Sequence, residues 1–86
     1  MITPIPNVSQ AELTAVIQQL ANSGLVHIQA TGPTSGRITA SKWPFEGTVA
    51  DYALVGNTLQ VRANRLEGEI RQQLVSDINQ LRAQGI

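Results

Sequence analysis

The sequence predicts an α+β domain. It is a two-layer α/β sandwich in the order α-β-β-β-β-α, with an antiparallel four-stranded meander and both helices on one face. Three observations carry this. Segments near either end of the 86-residue chain repeat apolar residues at helical spacing. The segments between them alternate apolar and polar residues with period two, bounded by Gly, Pro, Asn and Ser. Each helix then has one apolar stripe and the sheet one apolar face, and two layers bury all three together. The chain reads as a single domain, 1–86: an extended lead-in over 1–8, a helix over 9–23, the sheet over 25–64 and a helix over 65–84.

The lead-in holds Pro4 and Pro6, which deny it a helix and lay it extended against the domain. The first helix has three start signals. Ser9 is a suitable N-cap, Glu12 completes a capping box, and Val8 with Leu13 stand at hydrophobic-staple positions. Leu13, Val16, Ile17 and Leu20 form its stripe, and Gly24 is placed to end it in a left-handed conformation.

The first strand runs from Leu25 to Thr31 and the second from Arg37 to Trp43, joined by Gly32-Pro33-Thr34-Ser35-Gly36. Kept as a five-residue loop, this connection pairs Ile28 with Ala40, Ala30 with Ile38 and His27 with Ser41. Trp43-Pro44-Phe45 then turns the chain into the third strand.

Glu46 to Asn64 reads as a hairpin closed by Gly56-Asn57, two residues that tolerate positive φ. Counting back from the turn pairs Leu54 with Leu59, Tyr52 with Val61, and Ala50 with Ala63 on one face. Ala53 with Gln60 and Asp51 with Arg62 fall on the other. A slip of one residue would invert both faces, so the register is well specified. Asp51 opposite Arg62 predicts an exposed cross-strand ion pair worth about 0.2–1 kcal/mol.

The last helix carries the stripe Leu66, Ile70, Leu74, Ile78 and Leu81. Asn64 is the expected N-cap, with Glu67 in the reciprocal position and Glu67–Arg71 as an i,i+4 pair. Gly68 costs roughly 1 kcal/mol there, which predicts a first turn packed closely on the sheet.

Composition narrows the function. Six basic and six acidic residues cancel, which disfavours a nucleic-acid footprint or an anionic-membrane surface. The chain has no cysteine, so thiol catalysis and zinc–thiolate sites are excluded. His27 is the single histidine, so no multi-histidine metal site can form within one chain. No apolar run approaches the ~18 residues of a membrane span. The N-terminus lacks the basic-then-apolar pattern of a signal peptide, so the expected location is cytoplasmic. No cofactor is expected, because no glycine-rich phosphate loop or paired carboxylates occur at usable spacing.

With both helices on one side, the other sheet face is open and polar. The candidate interaction surface is His27, Gln29, Thr39, Ser41, Asp51 and Arg62, with Trp43 beside it as either an end cap of the core or an exposed aromatic anchor. A Ser41–His27–Asp51 triad is rejected, because a flat sheet face supplies neither a cleft nor oxyanion donors. The first strand, with no Asp, Glu, Lys, Arg or Pro, is an unprotected edge on which another chain could pair.

The helix–strands–helix order resembles double-stranded RNA-binding domains in topology. Their lysine cluster at the start of the last helix is here RLEGEIRQQ, with Glu67 and Glu69, and this chain has one strand more. The expected function is a non-catalytic protein-interaction module, self-associating through the open face or an edge strand. The alternatives are a small-molecule binder or small enzyme with a helix–sheet pocket, and a weak nucleic-acid-binding domain.

Overall fold

The computed structural model describes residues 4–41 and 46–85. Helix α1 spans Gln10–Ser23, followed by strands β1 (Val26–Gly32), β2 (Ser35–Ala40), β3 (Val49–Val55) and β4 (Thr58–Ala63), then helix α2 (Glu67–Ala83). The strands neighbour one another in chain order, all antiparallel. This is the expected meander between two helices. Both helices close one face: Leu13, Val16 and Leu20 of α1 and Ile70, Leu74 and Ile78 of α2 share one core with Val26, Ile38, Tyr52, Leu59 and Val61 of the sheet.

The start of α1 forms as the sequence dictates. Ser9 accepts the Glu12 N–H, the Glu12 carboxylate accepts the Ser9 N–H, and Gly24 ends the helix at φ 74°. The β3–β4 hairpin likewise holds every expected pair, from Val55 opposite Thr58 to Ala50 opposite Ala63. Of the two turn residues only Gly56 takes positive φ, at 64°, the signature of a II′ turn.

The first hairpin departs from expectation by two residues. Val26 lies opposite Ala40, Ile28 opposite Ile38 and His27 opposite Thr39, with Gly32 opposite Ser35. The loop therefore contracts to Pro33-Thr34, and the register shifts between Ala30 and Gly32, where Thr31 is the extra residue of a bulge. The Thr34 carbonyl accepts the Leu54 N–H, which draws the turn onto β3. A slip of two preserves the faces, so Val26, Ile38 and Ala40 still point to the core. Strand β2 ends at Ala40 instead of Trp43, and both Trp43 and Phe45 lie outside the described residues.

The start of α2 also differs. Asn64 does not cap it: its Oδ1 accepts the Val49 N–H and its own N–H bonds the Val49 carbonyl, extending the β3–β4 ladder. Leu66 turns the chain at φ 55° and the helix begins at Glu67. Glu67 does reach back, but to the Ala63 N–H, and Arg71 donates to the Pro4 carbonyl instead of pairing with Glu67.

The expected close packing at Gly68 is absent, because a Cβ built there would meet no atom within 4 Å. An exposed helical glycine in open space only weakens the helix. Gly68→Ala is therefore expected to raise stability by about 0.5–1 kcal/mol, read as a higher urea midpoint at unchanged slope; an unchanged or lower midpoint would refute it.

The lead-in has a defined place. Ile5 and Leu59 exchange two backbone hydrogen bonds of 2.8 Å, and the Val8 N–H bonds the Asn57 carbonyl at the hairpin tip. The chain thus occupies the outer edge of β4 with its own N-terminal segment. Arg82 of α2 holds this segment down by donating to the Asn7 carbonyl and, through two nitrogens, to the Glu12 carboxylate.

Candidate interaction surface

Alternation along four strands in register sends one set of side chains away from both helices. His27, Gln29, Arg37, Thr39, Asp51, Gln60 and Arg62 are all exposed on that face. Pairing aligns Gln29, Arg37, Asp51 and Arg62 in one row across the sheet. His27 and Thr39 stand opposite each other in the next row, beside Val49. Ser41 is exposed just past the end of β2 and donates to the Leu25 carbonyl. The predicted surface residues within the described chain therefore share one side of the sheet, while Trp43 lies outside the described residues.

The charge pairing on this face is corrected by the fold. Asp51 faces Arg62 as expected, but its carboxylate accepts from Arg37 Nε at 2.9 Å, on the other neighbouring strand. Asp51 lies between two arginines, so the row alternates in sign and offers no basic stripe to a phosphate backbone. Both partners of the ion pair are about half exposed, where such a pair contributes little. A shallow depression of about 340 Å³ runs over Arg37, Asp51, Arg62 and Asn64.

His27 lies opposite Thr39, and Asp51 opposite Arg37 and Arg62, so the register does not join serine, histidine and aspartate into a relay. Among the described residues no group of three His, Cys, Asp or Glu side chains could hold a metal ion. No helix among them is long and apolar enough to cross a membrane.

A second feature lies between helix and sheet, where the sequence allows a pocket as well as an open edge. Between α1 and the β1–β2 hairpin runs a groove of about 300 Å³, lined by Leu13, Ile17, Ala21, Ala30, Pro33 and Tyr52, among others. Tyr52 points from β3 across β2, and its ring sits where a side chain on Gly36 would be: a Cβ there would lie 2.6 Å from the Tyr52 hydroxyl. Burial pushes the Tyr52 hydroxyl above its ordinary pKa, so it remains a neutral phenol. Ala30 and Gly32 bring β1 into the lining of this groove.

The α1 side of this groove is what the sequence reading missed. A signal was available: from Leu13 to Gly36 the chain holds no Asp, Glu, Lys or Arg. Helical spacing then puts Thr14, Gln18 and Ala21 on the side of α1 that borders the groove, all exposed. Comparison of this chain with protein-family models, with curated proteins and with solved structures finds no match.

Proposed function

We propose that this chain is a non-catalytic protein-interaction module that self-associates. The observation that carries the reading is the asymmetry of the two sheet edges. The lead-in occupies the β4 edge through the Ile5–Leu59 bridge, whereas among the described residues no segment pairs with the outer side of β1. An edge strand with unpaired backbone groups is a template for a further strand, and proteins that stay monomeric guard such edges with charge, proline or a cover. Between its two ends β1 carries none of the first two. The polar sheet face beside it supports the same reading, because its exposed side chains surround only a shallow depression and alternate in charge.

The test is the assembly state of the full chain. Light scattering and sedimentation over a concentration series reaching the high micromolar range are expected to show mass rising from one chain to two. A strict monomer throughout would remove self-association.

A further inference from the structure

We infer that the self-association is a two-fold antiparallel pairing of β1 with β1 of a second copy, with Ile28 on the axis. The inference rests on the interaction-module reading above and specifies its surface.

The hydrogen-bonding direction of β1 is set by its neighbour. The Ser41 N–H bonds the Leu25 carbonyl, and Ala40 bonds Thr48 and Gly47 on the far side of β2. Antiparallel ladders alternate strictly, so His27 and Gln29 direct their backbone groups inward to β2. Val26, Ile28 and Ala30 direct theirs outward. These three residues are spaced evenly about Ile28, which makes the edge complementary to itself. In a two-fold pairing Ile28 exchanges both hydrogen bonds with Ile28 of the second copy, and Val26 does so with Ala30 of the second copy. The bulge at Thr31 ends the ladder on either side.

The side chains agree with that register. On the helix-facing side, half-buried Ile28 meets its own symmetry mate, and each Val26 faces a small Ala30. On the open side His27 faces Gln29 of the second copy, and both side chains can donate and accept. No like charges meet. Beside the strand, the exposed residues Thr14, Gln18 and Ala21 of α1 carry no charge, and Ile17 is only half buried. Two copies of this surface would meet across the axis and cover the groove. Depletion of charge at the centre of a surface is the compositional mark of an interface core. A second copy is the occupant chosen because the match is to the strand's own inverted sequence, with no charge present to select a different, charged segment. Four strands from each copy would then form one continuous sheet.

Ala30→Pro tests this. Ala30 is exposed, and its N–H points away from β2, so proline removes a donor that the single chain does not use. The dimer loses that donor from both copies. Its dissociation constant is expected to rise about tenfold or more, with circular dichroism and thermal midpoint near those of the parent chain. A second measurement covers a misfolded variant: in the parent chain, amide exchange at Val26, Ile28 and Ala30 is expected to slow as concentration rises through the dimerisation range. A parent chain that stays monomeric overturns the self-association reading itself. A dimer that survives Ala30→Pro, or whose Val26, Ile28 and Ala30 amides stay unprotected, overturns the β1 geometry and leaves association through the polar face.

Discussion

Replacing Gly36 by alanine is expected to destabilise the domain by about 1–3 kcal/mol. The added Cβ would lie 2.6 Å from the Tyr52 hydroxyl oxygen, 2.8 Å from Cζ of the same ring and 2.9 Å from the Gln29 carbonyl oxygen. Two of those atoms belong to a core side chain, and Tyr52 itself is only 6% exposed. The ring cannot swing away without opening the core, and the carbonyl belongs to the β1–β2 ladder. A domain of this size has a total stability of only about 5–10 kcal/mol, so the loss is readily seen in urea unfolding. A double-mutant cycle isolates the cause. In a Tyr52→Leu background the two ring contacts are gone and only the Gln29 carbonyl remains, so Gly36→Ala should cost less than half as much. Additive costs would show that the ring is not what Gly36 accommodates.

Acid should loosen the contact between the lead-in, α1 and α2, and Glu12 should account for much of that loss. Its carboxyl is lowered from the usual 4.5 to about 2, chiefly by the hydrogen bond from Arg82 and next by the Ser9 N–H. A carboxylate with a depressed folded-state pKa contributes stability that is complete above its unfolded value and is lost as pH falls through the folded one. The window is therefore pH 4.5 down to about 2. Allowing for solvent screening around this surface group, the loss amounts to roughly 1–2 kcal/mol. Burial raises Asp77, which is expected to act in the opposite sense, so the Glu12 contribution is best read as a difference between two proteins. Glu12→Gln keeps an acceptor for the Ser9 N–H but removes the charge. Its stability should be lower than that of the parent at neutral pH and flatter across the acid window. Parallel pH profiles for the two proteins would exclude Glu12 as the source.

Both predictions depend on side chains whose partners lie far away in the chain, and that separates what was legible from what was not. The Ser9–Glu12 box was legible because donor and acceptor are three residues apart. That Glu12 also accepts from Arg82 was not, because the partner lies 70 positions on and only the docking of α2 beside α1 brings it near. The glycines make the same contrast. Sequence reasoning singled out Gly68, since a glycine inside a helical pattern is anomalous, yet its surroundings are open. The glycine that packing requires is Gly36, which looks like an ordinary turn residue until β3 carries Tyr52 across it.

The candidate surface divides in the same way. Alternation along the strands identified the polar face, and every candidate on it within the described residues is exposed. Asp51 pairs with Arg37 instead of its hairpin neighbour Arg62, because a strand with neighbours on both sides offers it two opposing arginines and the hairpin pattern alone points to only one of them.

By itself, then, the sequence determined the order of elements, the β3–β4 register, the start of α1 and the two faces of the sheet. These follow from hydrogen bonds and periodicities a few residues long, which act wherever the chain happens to be. Tertiary structure alone decided that the β1–β2 loop contracts, that α2 begins after Leu66, that the lead-in closes the β4 edge and that, among the described residues, no segment pairs with the outer side of β1. Each of these is a competition among distant groups for the same backbone donors and acceptors, and only their relative positions in the folded chain decide which wins.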